Sequence, residues 1–179
     1  MKLKWPFIFA IFAMPLLIVF ILHFWGENRF DVPVYHTEDV VSGSDCGELE
    51  TPYVVNKSLR AVDSIKLIFI FQELPIEDEK LPVIRVSDRF NNSPVSLVCI
   101  SPIEIGSKVG PVDAVEMSGE EFTQTMECRL LMEEGSSIVL IDGIGRIRGY
   151  YDIDKRDEID RLEVEIEILL RNGEFKSGN

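Results

Sequence analysis

Three cysteines, Cys46, Cys99 and Cys128, and two histidines, His23 and His36, supply all the thiol and imidazole chemistry of this 179-residue chain. No two cysteines fall at C-x-x-C or C-x-x-x-C spacing, so the spacing signals neither a local dithiol nor a zinc site. Cys99 alternates in register with Val95 and Leu97 in "VSLVCIS" and is expected to face the core as a small hydrophobe. Cys128 lies late in a helical pattern beside Leu130 and Leu131 and is expected to be partly buried. Cys46, in "GSDCGEL", is the best candidate for an exposed thiol. An odd count in an oxidising compartment leaves at least one Cys unpaired or bonded to a partner. His36, with Glu38 and Asp39 nearby, lacks the convergent ligands a metal needs and reads as a solvated loop residue. His23 reads as an interfacial ring near the end of an apolar segment. Glu73, Glu77, Asp78 and Glu79 cluster in "IFIFQELPIEDEKLP". They could meet a hard cation or a basic partner, but calcium-loop spacing is missing and a solvated helix N-terminus is favoured. No Ser–His–Asp set, phosphate loop or repeat is visible.

The elements that must position these residues follow from hydropathy and charge. "WPFIFAIFAMPLLIVFILHFW", Trp5 to Trp25, has no ionisable group except His23. As a helix it would span about 31 Å at ~1.5 Å per residue, enough for a bilayer core. Trp5 and Trp25 suit the two interfaces, and Lys2 and Lys4 precede the span, so the N-terminus is expected in the cytoplasm and the rest outside. The competing reading, a cleaved signal peptide, lacks a small-x-small site in "HFWGENRF". The chain carries 18 basic and 31 acidic residues, a net charge of −13. Removing Lys2 and Lys4 leaves 16 against 31, or −15, from Gly26 onward. That balance argues against nucleic acid and against an anionic lipid surface as partners.

After residues 1–25 as anchor, residues 26–64 read as a tether with short extended pieces. Regular pattern begins at "IKLIFIF", a strand from Ile65 to Phe71. "EDEKLPVIRVSDRF", Glu77 to Phe90, suits a helix with an acidic first turn, which Pro82 could bend or shorten. Val95 to Ser101 is a second buried strand. Ser118 and Glu121 form a capping box ahead of Phe122, Met126 and Leu130, a helix ending near Met132. Ile138–Ile141 and Arg146–Tyr151 are strands joined by the turn "DGIG". Asp154 can cap a last helix whose apolar face is Ile159, Leu162, Ile166 and Leu169, with Gly173 at its end. The order strand, helix, strand, helix, hairpin, helix is that of an α/β thioredoxin-like fold, a mixed sheet flanked by helices, over residues 65–171. Residues 172–179 are expected to be a disordered tail.

"IVLIDGIGRIRGYYD" followed by "EIDRLEVEIEILL" resembles the SCO/SenC family, as do "GENRFDVPVYH" and "VDAVEMSGEEFTQTMECRLL". The last stretch takes the place of the family's strand and helix after its long insertion. The resemblance covers most of residues 26–171, with its strongest part from Ser136 to Leu170. Family members are membrane-anchored, thioredoxin-fold proteins that help deliver copper to cytochrome oxidase. Their chemistry rests on a Cys-x-x-x-Cys loop after the first core strand and a His before the hairpin, soft ligands suited to Cu(I). Laid on this chain, those three positions fall on Leu74, Asp78 and Glu134. The resemblance therefore implies a SCO-like domain without the metal and dithiol site and without a cofactor. Its expected role is a non-catalytic assembly or scaffold factor whose partners are the membrane and another membrane or periplasmic protein, such as a respiratory oxidase component. The alternative is a divergent thiol–disulfide oxidoreductase or copper carrier using Cys46 with Cys99 or Cys128.

Overall fold

The structure is a computed structural model that describes residues 13–20, 31–38, 46–59, 61, 63–73, 75 and 77–176, with the backbone alone for 77–79. The chain divides into two units, 1–30 and 31–179. In the first, residues 13–20 are helical, and Met14, Leu16, Leu17, Ile18, Val19 and Phe20 stand exposed. The rest of the expected anchor lies outside the described residues. Among the described residues no helix is long and apolar enough to cross a membrane.

The second unit is built on one six-stranded sheet. Its strands are β1 (Ile65–Ile70), β2 (Val95–Ser101), β3 (Lys108–Val109), β4 (Val112–Glu116), β5 (Ile138–Ile141) and β6 (Ile147–Tyr151). Their order across the sheet is β3-β4-β2-β1-β5-β6. β1 is parallel to β2 and antiparallel to β5, and β5 is antiparallel to β6. The helices are α1 (Glu77–Phe90), α2 (Gly119–Gln124), which runs on as a π-helical turn over Thr125–Arg129, and α3 (Arg156–Asn172).

Alternation along the strands sends side chains to two faces. Ile65, Leu67 and Phe69 of β1, Ile138 and Leu140 of β5 and Tyr151 of β6 face one side, where Val83, Val86 and Phe90 of α1 meet Ile159, Leu162, Ile166 and Leu169 of α3. Ile68, Ile70, Ile100, Val139, Ile141 and Ile147 face the other side, under Phe122, Leu130, Leu131, Tyr53 and Val55. Two long amphipathic helices therefore cover the first face. The second is covered by a short α/π helix and an extended N-terminal segment.

Local rules account for most boundaries. Ser118 caps α2 by accepting the Glu121 N–H. Pro82 sits inside α1 and forfeits one backbone bond without ending the helix. The turn between β5 and β6 is organised by Asp142, whose Oδ1 accepts the N–H groups of Ile144, Gly145 and Arg146 at 3.1, 3.0 and 2.9 Å. The N-cap of α3 is Lys155 rather than the expected Asp154. Asp154 instead donates its N–H to Asp152 Oδ1 at 3.0 Å. Gly173 takes φ 74°, the left-handed end expected for α3, and the Glu174 N–H reaches back to the Leu169 carbonyl.

Three regions depart from the expected organisation. The segment read as a tether buries Val32, Tyr53 and Val55 in the second unit. The Tyr35 N–H donates to the Ile147 carbonyl, and the Val55 N–H to the Gly145 carbonyl, so the segment lies along the sheet. The stretch from residue 172 to residue 176, read as part of a disordered tail, packs against the β5–β6 turn. Gly143 N–H donates to the Glu174 carbonyl, a Cβ at Gly143 would fall inside the Phe175 backbone, and the Glu174 carboxylate pairs with buried Arg148 at 2.6 Å. Third, β3 adds an edge hairpin with β4 that periodicity did not signal, because its two residues are too few to carry a period.

Candidate functional site

In a sheet of this kind, reactive groups gather at the carboxyl ends of the parallel strands. The C-terminal end of β1 meets the loop before β5 there: Ile70 N–H donates to the Ser137 carbonyl at 2.8 Å, and Ser137 N–H to the Tyr151 carbonyl at 2.8 Å. An open cleft of about 420 Å³ results, lined among others by Gln72, Glu73, Ser136, Ser137, Asp152 and Asp154. A second cleft of about 220 Å³ adjoins it at Gly135, Ser136 and Asp152 and includes Glu134, Lys155 and Arg161.

The end of β1 and the loop before β5, the two places where the resemblance lays metal ligands, are neighbours at Ile70 and Ser137. Of the three positions, Glu134 is exposed in the loop before β5. Asp78 lies in the first turn of α1, its side chain outside the described residues, as are those of Glu77 and Glu79. Leu74 lies outside the described residues altogether. Beside Ile70, Phe71 and Ile153, the polar lining of the main cleft is carboxylate, hydroxyl and amide, hard oxygen and nitrogen donors that favour hydrogen bonding over soft-metal ligation. Asp152 is engaged already. Burial pushes its carboxyl up, but the Asp154 backbone N–H and the Lys155 ammonium at 3.0 Å outweigh that and hold it below its usual value.

Sulfur chemistry lies elsewhere. Cys46 and Cys128 are joined in a disulfide, with Cα atoms 5.1 Å apart and a sequence separation of 82. The expectation of an exposed free thiol at Cys46 is therefore corrected, and both sulfur-bearing residues are half-buried. Spacing could not have found this pair, since it forms only when the N-terminal segment lies against the end of α2. The odd cysteine is Cys99, fully buried on β2, and burial pushes its thiol up to about 12, so it stays protonated and inert. Of the two partners considered for Cys46, the fold selects Cys128 and leaves Cys99 in the core.

The disulfide belongs to a cluster that sequence reasoning missed. The Tyr53 hydroxyl directs its one proton between the carbonyls of Arg129 at 2.8 Å and Cys128 at 3.2 Å, the shorter bond being to Arg129. The Tyr150 hydroxyl donates to the Leu130 carbonyl at 2.8 Å. These carbonyls end a helix and have no following turn to bond them, so the two phenols act as its cap. Tyr150 has one proton and spends it on Leu130, so His36 Nε2, 3.0 Å from the phenol oxygen, must be the donor in that contact. His36, expected to be a solvated loop residue, is half-buried with its ring edge-on to Tyr53 and Tyr150. Burial lowers its imidazole below the ordinary 6.5, while the Glu133 carboxylate pulls the other way. The available signal was the run of aromatics in "VYH", "TPY" and "GYYD", without any hint of which would meet.

The observed strand order supplies the class. β6-β5-β1-β2, with β1 and β2 parallel, β5 and β6 antiparallel and helices on both sides, is the core of a thioredoxin-like fold. No protein-family model matches the chain, and no curated protein matches it. Solved structures similar to it include a SCO1/SenC family lipoprotein from Bacillus anthracis, at 13% identity over 62% of this chain and 83% of that one, TM-score 0.46. The mitochondrial 2-Cys peroxiredoxin of Plasmodium falciparum matches at 14% identity over 62% and 78%, TM-score 0.46. Mycobacterium tuberculosis AhpC matches at 11% identity over 62% and 72%, TM-score 0.46. Likenesses at this level say nothing of activity.

Proposed function

We propose that this chain is a membrane-anchored, extracytoplasmic thioredoxin-like module that works without a copper or dithiol site, as an assembly or scaffold factor in cytochrome oxidase biogenesis. The observation that carries the reading is the chemistry of the main cleft. Its polar lining offers Glu73, Ser136, Ser137 and Asp152 next to the two loops on which the resemblance lays the thiolates and imidazole of a SCO-like protein. Supporting it are the exposed apolar side chains of residues 13–20, suited to lipid, and a long-range disulfide, suited to an oxidising compartment. The family link itself rests on the resemblance in residues 136–170.

Two measurements test the reading. Cells lacking this chain are expected to lose cytochrome oxidase activity and to recover it when the full chain carries Cys99→Ser. Unaltered oxidase activity in the deletion sinks the oxidase link. The full chain in detergent is expected not to retain Cu(I) against a competing chelator, and a stoichiometric complex that survives would restore the copper-carrier reading. A second reading, thiol–disulfide exchange with partner proteins, is favoured by the bond between Cys46 and Cys128. Turnover of a disulfide substrate that is lost in Cys128→Ser would transfer the assignment to it.

A further inference from the structure

We propose that the Cys46–Cys128 disulfide is a redox-operated strap, whose reduction by a dithiol protein frees residues 46–59 and the end of α2 while the rest of the sheet stays folded. The two faces of the sheet are held differently. On the first, α1 and α3 bury a continuous set of apolar side chains from Leu67 and Phe69 to Leu162 and Ile166. On the second, the cover is the 46–59 segment and the α/π helix, and the disulfide joins these two covering pieces to each other. Opening that bond cuts no link to α1 or α3.

The helix end at Cys128 is a high-energy arrangement that needs to be held. Thr125–Arg129 is π-helical, a rare geometry. Leu131 takes φ 49°, the left-handed region that costs a residue with a Cβ. Thr125 Oγ1 is buried with no hydrogen-bond partner among the described residues. Closure has two points on the same two elements: the disulfide from Cys46, and the Tyr53 hydroxyl on the Cys128 and Arg129 carbonyls. Removing the first leaves the second, the Tyr150 hydroxyl on the Leu130 carbonyl, the Val55 N–H on the Gly145 carbonyl and the burial of Tyr53 and Val55 to oppose relaxation of the turn.

The exchange is balanced by the partner. A thiolate of its dithiol attacks one sulfur of the bridge, a mixed disulfide forms as the Cys46–Cys128 bond breaks, and the departing thiolate takes a proton. The second partner thiol, deprotonated, displaces the remaining protein thiol. The products are two thiols here and a disulfide on the partner, a transfer of two electrons and two protons. Both bridge residues are half-buried rather than enclosed, which lets a thiolate approach. The opened state bares Ile68, Ile70, Ile100 and Val139 of the second face, an apolar surface that the oxidised form hides.

The test uses the full chain in detergent micelles at neutral pH, with a small dithiol as reductant and without denaturant. Hydrogen exchange is expected to rise about tenfold or more in residues 46–59 and 119–132 on reduction, with β1, β5 and α3 remaining protected. A bridge that withstands the dithiol overturns the proposal. So does exchange that is unchanged after reduction, or protection lost throughout the sheet, which would make the bridge a global staple. Tyr53→Phe keeps the disulfide and removes the second point of closure, and it is expected to speed reduction about fivefold. An unchanged rate would show that Tyr53 does not hold the strap.

Discussion

Replacing Cys46 and Cys128 together by Ser removes a bridge that closes a loop of 82 positions. In the chain-entropy account, such a loop restricts the unfolded state by about 15 cal/mol/K, or about 4.5 kcal/mol at 25 °C. Residual structure in the denatured chain lowers that figure, so a loss of about 3–4.5 kcal/mol is expected. This is comparable to truncating a fully buried core leucine such as Leu162, for which Leu162→Ala should cost about 2–5 kcal/mol. A domain with typical stability of about 5–15 kcal/mol would remain folded but lose much of its margin. The double substitution avoids leaving a reactive single thiol. Urea melts followed by circular dichroism are the assay, and with a slope of about 2 kcal/mol/M the midpoint should fall by about 1.5–2.3 M. Reduced wild type should melt with the double variant, which separates loss of the covalent link from any effect of the serines. A midpoint shift below about 0.5 M would refute the reasoning. The bridge would then do nothing to the unfolded chain, and Cys46 would behave as a tether residue after all.

Arg148 is buried between Asp142 and Glu174, at 3.3 and 2.6 Å, and donates to the Val32 carbonyl at 2.6 Å. Arg146 still pairs with both carboxylates at 2.7 and 3.0 Å, so Arg148→Met should cost about 1–3 kcal/mol, through the unpaired Val32 carbonyl and the weakened pairing of Glu174. A loss under about 0.5 kcal/mol in a urea melt would mean that Arg146 alone satisfies the cluster. Gly143→Ala drives a methyl into the Phe175 backbone and should cost about 1–3 kcal/mol. Hydrogen exchange should rise first in residues 174–176, and protection there equal to wild type would contradict the close approach. Because burial depresses the His36 imidazole, the unfolded chain binds the extra proton first as pH falls through 6.5. The contribution of His36 should be complete above that value and decline below it toward its folded value. Melts of wild type and His36→Gln from pH 7.5 to 5 should converge in slope above 6.5 and diverge below, and parallel curves throughout would remove His36 from the balance.

The sequence by itself determined what local physics controls. The apolar runs at 65–70 and 95–101, the helix at 77–90 and the face Ile159, Leu162, Ile166 and Leu169 were all legible, because alternation and the 3.6-residue period are written in neighbouring residues. Cys99 could be placed in the core for the same reason, and Ser118 and Gly173 marked helix ends through their own side-chain and backbone chemistry. It also showed which residue types stand in the loops after β1 and before β5. The tertiary structure alone decided that Cys46 meets Cys128, that Tyr53, Tyr150 and His36 converge on the end of α2, and that Glu174 and Phe175 close over Gly143. Each of these contacts joins residues far apart in the chain, and none follows from a period. The segment around Cys46 has no amphipathic pattern to announce its burial, so its place became fixed only when α2 and the second face of the sheet were present to receive Tyr53 and Val55.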